Sequence, residues 1–212
     1  MASPVPRGAR LPREQRRELI LVAAREVFVD SGYHVAAMDD IARRAGVTKP
    51  VLYQHFSSKQ ELYLAVLDAG VEDVLAAVGK GLQSSPDNRS RVTATIDAYL
   101  GFMAQEDAVY RLVFESDLVN LPDVRARVEQ VNAQCAEMVA QVIAEDTGLP
   151  GEESSLLAYA LIGLAQTAAR HWLRDQDGIH RPEAASLLAS LAWRGISGFP
   201  KNPTTDQQGA TP

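Results

Sequence analysis

The stretch Met38–Glu61, MDDIARRAGVTKPVLYQHFSSKQE, decides the fold of this chain. Its apolar residues recur at helical spacing and predict a first helix that ends at Gly46, the residue type best suited to the left-handed conformation that closes a helix. Thr48 is placed to cap a second helix through its hydroxyl, and Pro50 falls in that helix's first turn, where a missing N–H costs nothing. Two short helices joined by a Gly-containing turn are the sequence form of a helix-turn-helix.

The second helix, Lys49 to Phe56, has a surface suited to a polyanion. Leu52 and Phe56 are four residues apart and are predicted to anchor it to a core, which leaves its other side chains facing outward. No acidic residue lies between Asp40 and Glu61. The same window holds four cations, at Arg43, Arg44, Lys49 and Lys59. A surface helix with a chance run of charge is the weaker interpretation, because ordinary surface helices carry Glu beside Lys and Gln.

These residues resemble the DNA-binding domain of TetR-type (tetracycline-repressor-like) transcriptional regulators. The match runs from about Pro12 to Glu72 and is most specific in the core GVTKPVLYQHF, residues 46–56. Two positions depart from the family pattern: Ala37 stands where the family commonly has a capping Thr or Ser, and Asp39 stands where many relatives carry Arg. The resemblance implies an all-α protein, with a three-helix DNA-binding domain followed by a helical bundle that binds an effector and dimerises.

The distribution of charge agrees with one end that contacts nucleic acid. The net charge of the chain is −6, but residues 1–60 carry +4 and the remainder carries −10. Cys135 is the only cysteine, which excludes an intrachain disulfide and is typical of a reducing compartment; we interpret it as a small core residue. The N-terminus has no apolar leader, and the longest uncharged run, Ser154 to Ala169, is too short and polar for a membrane span. We therefore expect a cytoplasmic protein that does not enter membranes.

The chain divides by composition into four parts. They are a disordered basic arm (1–11), the helix-turn-helix DNA-binding domain (12–72, with the motif at about 37–56), an effector-binding and dimerisation domain (73–199) and a disordered polar tail (200–212). Before the motif, a helix is predicted from about Arg13 to Asp30, and Ser31-Gly32 is predicted to end it. Ser58 and Glu61 form a capping box at the start of a helix that continues to about Gly81 and links the two domains mechanically.

The last two helices, about 154–174 and 182–198, predict a homodimer. Apolar residues cover every face of both helices, so each must be buried on two sides, and the rest of the chain is too small to cover them. The alternative is that both helices are central in a monomeric bundle.

The second domain offers no catalytic or metal-binding motif, so we expect neither an enzyme nor a cofactor. It does contain aromatic, Met and isolated polar residues of the kind that line small-molecule pockets, although each one alone is more often ordinary core. The candidate effector-pocket residues are Tyr99, Phe102, Met103, Tyr110, Phe114, Gln134, Met138, Tyr159, Gln166, Thr167, His171 and Trp172. Gln166 and His171 are the strongest, because a polar group in an apolar helix needs a partner. An apolar or amphipathic effector fits better than a strongly anionic one.

The sequence therefore predicts a dimeric regulator, a repressor, that binds a palindromic operator and is released by a small-molecule effector. Residues expected to contact phosphates are Thr48, Tyr53, His55 and Lys59, and those expected to contact base edges are Lys49, Val51, Gln54 and the ring of Pro50. Two other classes compete: an all-α small-molecule-binding protein or enzyme with a vestigial motif, and a helical scaffold that dimerises for other partners. Neither accounts for the acid-free second helix.

Overall fold

The structure, a computed structural model, describes residues 12–105, 112, 118, 121–174 and 178–196. This part of the chain contains eight helices and no strand, which confirms the all-α prediction. The helices are α1 (Arg13–Val35), α2 (Met38–Arg44), α3 (Lys49–His55), α4 (Lys59–Leu82), α5 (Asn88–Met103), α6 (Pro122–Thr147), α7 (Gly151–Arg174) and α8 (Arg181–Ile196). The basic arm and the polar tail lie outside the described residues.

Helices α1 to α4 pack around one apolar core. Phe28, Ile41, Leu52 and Leu62, one from each helix, have no exposed surface. Burying a side chain of this size contributes roughly 1.5–3 kcal/mol, so these contacts fix how the short α2 and α3 are held. Helix α1 is kinked at Gly32, where φ is 72°, and one more turn follows. The predicted end of the helix is therefore the position of the kink.

The turn between α2 and α3 has the geometry that its sequence predicts. Gly46 adopts φ +66°, and its N–H donates to the Arg43 carbonyl at 3.2 Å. The N–H of Val47 donates to the Ala42 carbonyl at 2.9 Å. This pair of hydrogen bonds is a Schellman motif, which satisfies the last carbonyls of α2 and sets the direction in which α3 leaves.

Helix α4 begins beside α3 and extends into the second domain. The Ser58 hydroxyl accepts a hydrogen bond from the Glu61 N–H at 3.1 Å, which is one half of the predicted capping box. The other half is displaced by one residue, because the Glu61 carboxylate accepts from the backbone N–H of Ser57 at 2.7 Å and from its hydroxyl at 2.5 Å. These bonds lower the pKa of Glu61 and fix the chain between α3 and α4.

The second domain consists of most of α4 together with α5 to α8. Helix α5 packs between α4 and α8, while α6 packs against α4 and α7. Their buried residues form a core that includes Val74, Leu100, Cys135, Ala169 and Ala189. Across the described ranges, no helix has both the length and the apolar character needed to cross a membrane.

Candidate nucleic-acid interface and ligand cavity

Helix α3 presents an outward face on two buried anchors. Leu52 is fully buried and Phe56 is 2% exposed, as the sequence predicts. Seven of the residues predicted to contact DNA lie on this helix or directly before it. Thr48, Lys49, Pro50, Tyr53 and Gln54 are exposed, and Val51 and His55 are half-buried. These seven of the eight predicted contact residues are at least partly exposed and are here called the recognition face (residues 48–51 and 53–55).

The prediction that the Thr48 hydroxyl caps α3 is wrong. Its side chain makes no capping hydrogen bond, although its backbone carbonyl accepts from the Leu52 N–H at 3.0 Å. A capping hydroxyl normally binds the N–H of the second or third helical residue, and here the second is Pro50, which has none. The hydroxyl is left at the surface of the recognition face.

The cations around the motif are paired with acids that lie outside the acid-free window. Lys49 Nζ is 2.9 Å from an Asp39 carboxylate oxygen, and this contact raises the lysine pKa. Two further ion pairs join Arg43 to Asp40 and Arg44 Nε to Glu26, the second at 2.5 Å. A stretch without acids in the sequence is therefore bordered by carboxylates in space, and Asp39 lies beside the recognition face.

Lys59 is directed into the protein rather than outward. Its Nζ donates to the carbonyls of Tyr33 at 2.7 Å, His34 at 3.3 Å and Ala36 at 2.9 Å, and lies 4.6 Å from the centre of the Tyr33 ring. Cations are favourable at a helix C-terminus, where the last carbonyls lack partners. The side chain predicted to contact phosphate thus joins the start of α4 to the end of α1.

Three arginines near the start of α1 provide positive charge that the sequence analysis did not assign to the site. Burial lowers the pKa of His55, and Arg13, Arg16 and Arg17 lower it further. Arg17 also lies 5.2 Å above the Phe56 ring. Their spacing of three and four residues along α1 is the sequence signal that they share one helix face. His55 is consequently neutral at pH 7.

An elongated cavity of about 170 Å³ lies between α4, α5, α6 and α7. One face of α4 lines it over four turns, at Leu67, Gly70, Val71, Val74, Val78 and Leu82. Leu67 and Leu82 are fifteen residues apart, which corresponds to about 22 Å along the helix. The cavity therefore runs parallel to the helix that begins beside the recognition face.

Few polar groups face this cavity. The Gln166 side-chain amide donates to the Asn132 side-chain oxygen at 2.6 Å, and both residues line the wall. Burial raises the pKa of the Tyr99 hydroxyl above its ordinary range, and it raises the pKa of the Cys135 thiol to about 11. Both groups are therefore neutral at pH 7, and Arg127 is the one charged side chain among the described residues of the wall.

The structure brings together only part of the predicted pocket. Tyr99, Phe102, Met103 and Gln166 line the cavity. The other predicted residues do not line it. Four of them are exposed, namely Gln134, Tyr159, Thr167 and His171. Met138 and Trp172 pack in the core of the second domain without lining the wall, and Tyr110 and Phe114 lie outside the described residues. Gln134 is one residue from the cavity-lining Cys135, about 100° around the helix, and so faces solvent. The cavity wall also includes aliphatic residues of α4, which the sequence pattern does not distinguish from ordinary core residues.

Tyr159, Thr167 and His171 belong to a stripe of exposed residues on the last two helices, here called the outer stripe. Leu156 is 72% exposed and Tyr159 49% exposed on α7, and Leu187 is 56% exposed and Leu191 61% exposed on α8. Together with Ala160 and Gly163, the α7 residues follow the three- and four-residue spacing of one helix face. Large apolar side chains exposed in a continuous row mark a surface that another molecule covers.

In the ranges that the structure describes, no group of three or more His, Cys, Asp or Glu side chains is placed to hold a metal ion.

Both halves of the chain match known family models. Residues 20–66 match the model of bacterial regulatory proteins of the tetR family, and residues 88–195 match the tetracyclin repressor-like C-terminal domain. The chain is 44% identical over 194 residues to the HTH-type transcriptional activator FasR of Mycolicibacterium smegmatis, a match that covers 92% of this chain and 89% of that protein.

Solved structures agree with the family models. A TetR-like transcriptional regulator from Rhodococcus sp. RHA1 superimposes with a TM-score of 0.70 at 29% identity, covering 89% of this chain and all of that one. FadR from Bacillus subtilis, solved in complex with stearoyl-CoA, has a TM-score of 0.69 at 16% identity and covers 86% of this chain and 98% of that one. The second similarity concerns the fold alone.

Proposed function

Because this chain belongs to the TetR family of bacterial transcriptional regulators, we propose that it binds an inverted-repeat operator as a homodimer and that an apolar small molecule controls this binding. The observation that carries the proposal is the recognition face, which projects from the buried anchors Leu52 and Phe56. A short helix held in this way fits the major groove of DNA.

The recognition face supplies two kinds of contact. We expect Val51 and Gln54 to contact base edges, Gln to adenine and Val to a thymine methyl group, and Lys49 to reach guanine after it leaves Asp39. The exposed Pro50 ring offers a further methyl contact. We expect Thr48, Tyr53 and the neutral His55 to contact phosphates, which fix the register of the protein on the duplex.

The outer stripe is the proposed dimer interface. Its leucines and Tyr159 are apolar surface that a second copy of the same stripe covers in an isologous contact, in which the two copies of α7 and α8 form four helices. In such a dimer we expect the two copies of α3 to reach successive major-groove half-sites, which lie about 34–36 Å apart on DNA. Light scattering tests this directly: the double substitution Leu187→Glu/Leu191→Glu is expected to give monomers, and a dimer that persists would contradict the assignment.

The cavity suits a long apolar chain. It is lined by aliphatic and aromatic side chains over about 22 Å of α4, and its polar pair, Asn132 and Gln166, is already joined by a hydrogen bond. The structural neighbour FadR from Bacillus subtilis was solved with stearoyl-CoA, a long acyl thioester. We infer that the effector class here is a long acyl chain.

Helix α4 supplies the coupling between ligand and DNA. The same helix lines the cavity and starts at the cap that follows α3, so a ligand that moves α4 changes the separation of the two recognition faces. Coupling energies of this kind typically amount to roughly 1–3 kcal/mol. The sequence analysis predicted a repressor, but the relative from Mycolicibacterium smegmatis is named an activator, and we propose activation for this chain on the strength of that similarity.

Selection of bound duplexes from a random DNA pool tests the proposal. The wild type is expected to enrich an inverted repeat, and Tyr53→Ala/Gln54→Ala, which changes two exposed residues of α3, is expected to lose that enrichment. Gln130→Ala, at an exposed position of α6, is the matched control and is expected to behave as the wild type. Equal enrichment by the wild type and the α3 variant would contradict the assignment of the recognition face. A reporter placed behind the selected site then distinguishes activation from repression.

A further inference from the structure

Arg127 stands where the apolar cavity meets solvent. It is the one charged side chain among the described residues that line the cavity, and its side chain is 27% exposed. Its partner on α4 is Asp68, which lies between the cavity-lining residues Leu67 and Val71. The guanidinium group therefore lies beside the Leu67 end of the row of α4 residues that line the cavity.

The guanidinium group is held by two helices. Nε and Nη2 donate to the two carboxylate oxygens of Asp68 at 2.6 and 3.3 Å, and Nη1 donates to the Asp123 backbone carbonyl on its own helix at 3.2 Å. The planar fork of Arg meets a carboxylate through two parallel bonds, and phosphate oxygens accept the same geometry. The pair ties α6 to α4.

We propose that Arg127 recognises the anionic head of the ligand whose chain fills the cavity, and that it releases Asp68 when it does so. This inference rests on the proposed function, since it needs a ligand in the cavity. The exchange replaces one oxyanion with another on the same two donors. Asp68 is half exposed, so water solvates its carboxylate once it is released.

The other polar pair of the wall does not offer this chemistry. Asn132 and Gln166 are neutral, and the hydrogen bond between them uses the Gln amide and the Asn oxygen. They accommodate a chain but do not attract an anion.

The exchange couples ligand binding to the position of α4. In the unliganded protein the Arg127–Asp68 pair ties α4 to α6, and the liganded protein lacks this tie because the head group occupies the guanidinium. A ligand shifts a conformational equilibrium only by its differential affinity for the two states. Arg127 cannot bind the head group and Asp68 at the same time, so the ligand has a different affinity for the two states.

Three probes with the same hydrocarbon chain distinguish binding of the head group from binding of the tail. They are dodecanoate, dodecanoyl-coenzyme A and the neutral 1-dodecanol. Their binding to the full-length protein is measured by isothermal titration, with thermal unfolding followed for each variant. Arg127→Gln is expected to weaken the anionic probes by about tenfold or more and to leave 1-dodecanol unchanged, because it removes a charge-assisted hydrogen bond. Loss for dodecanoate alone assigns a carboxylate head, and loss for the thioester alone assigns its phosphates. Arg125→Gln, at an exposed position of α6 away from the cavity wall, is the matched control.

Asp68→Asn completes the test. Because Asp68→Asn removes the charge that competes for Arg127, we expect it to raise the affinity of the protein for the anionic probes and to leave its affinity for 1-dodecanol unchanged. If Arg127→Gln changes all three probes equally, or none of them, Arg127 is only a tie between helices and the inference is overturned. If none of the probes binds the wild type, the proposed effector class fails together with the inference.

Discussion

Replacing Lys59 by methionine tests whether this residue holds the DNA-binding module together or contacts DNA. Its Nζ donates to the carbonyls of Tyr33 at 2.7 Å, His34 at 3.3 Å and Ala36 at 2.9 Å, and it lies 4.6 Å from the centre of the Tyr33 ring. Methionine retains an apolar stem of similar length but has no donor. The substitution therefore leaves the end of α1 without its cation.

The expected loss of stability follows from these contacts. A hydrogen bond to a charged group contributes roughly 1.5–3 kcal/mol, and a cation over an aromatic ring contributes about 0.5–1 kcal/mol at an exposed site. The site is partly exposed, so water replaces part of what is removed, and we expect a net loss of about 2–3 kcal/mol in the free energy of unfolding. For a protein of this size, 1 kcal/mol corresponds to roughly 2–4 °C in Tm, so Lys59→Met should lower Tm by roughly 4–12 °C.

Thermal unfolding followed by circular dichroism measures this shift, and Lys49→Met is the control. Lys49 is an exposed lysine of the recognition face, and its substitution should leave Tm within the range of ordinary surface changes. The reasoning is refuted if Lys59→Met keeps the wild-type Tm while the dependence of DNA affinity on salt falls by about one ion, because that result identifies a phosphate contact.

Three further changes test other parts of the account. Asp39→Asn frees Lys49 for a phosphate or base, so it should strengthen operator binding and steepen its salt dependence by about one ion in an anisotropy titration; an unchanged slope would show that Asp39 does not restrain Lys49. Tyr63→Phe removes the buried hydrogen bond from the Tyr63 hydroxyl to the Leu112 carbonyl, 2.6 Å long, and should cost about 1–2 kcal/mol, seen as a lower urea midpoint at constant m-value; an unchanged midpoint would show that the bond adds nothing. The folded-state pKa of His55 lies below its unfolded value of about 6.5, so the contribution of His55 to stability is complete above that pH and is lost as pH falls towards the folded pKa. The substitution His55→Gln should therefore reduce the loss of Tm between pH 7 and pH 5. An identical loss of Tm in the variant and the wild type would argue against this role.

The helix-turn-helix could be predicted from sequence because its signals are local. Gly46 closes α2 by a conformation that few other residues adopt, and the Ser58 cap needs only the N–H three residues ahead. Leu52 and Phe56 can be predicted as the buried anchors of α3 from their four-residue spacing alone. Such contacts depend on a few neighbouring residues, so the sequence contains most of the information.

The role of Lys59 could not be predicted in the same way. Its three acceptors are backbone carbonyls more than twenty residues earlier, at the end of a helix whose kink brings them within reach. Backbone carbonyls have no signature in the sequence, so a lysine beside a recognition helix looks like a phosphate contact. Asp39 is similar, since it is adjacent to Lys49 in space but ten residues away in the chain.

The presence of an apolar cavity in the second domain can be predicted from the sequence, but only some of its lining residues can. The segment 154–169 of α7 has apolar residues on every face, so its sequence does not show which face lines the cavity and which forms the outer stripe. Gln166 lines the cavity, whereas Tyr159 and His171 lie on the outer stripe. The aliphatic face of α4 was recognised only as core, because Val and Leu line a cavity and fill a core with the same periodicity.

If filling the cavity moves the recognition faces through α4, the distance between the two faces of a dimer changes when the ligand binds. Gln54→Cys provides one exposed site per chain for a spin label, and the native Cys135 reacts poorly because it is buried and its pKa is raised to about 11. Double electron–electron resonance is recorded with and without saturating dodecanoyl-coenzyme A. The account predicts that the ligand shifts the distance distribution in the wild-type background. Superimposable distributions, with the ligand bound in both chains, would contradict it.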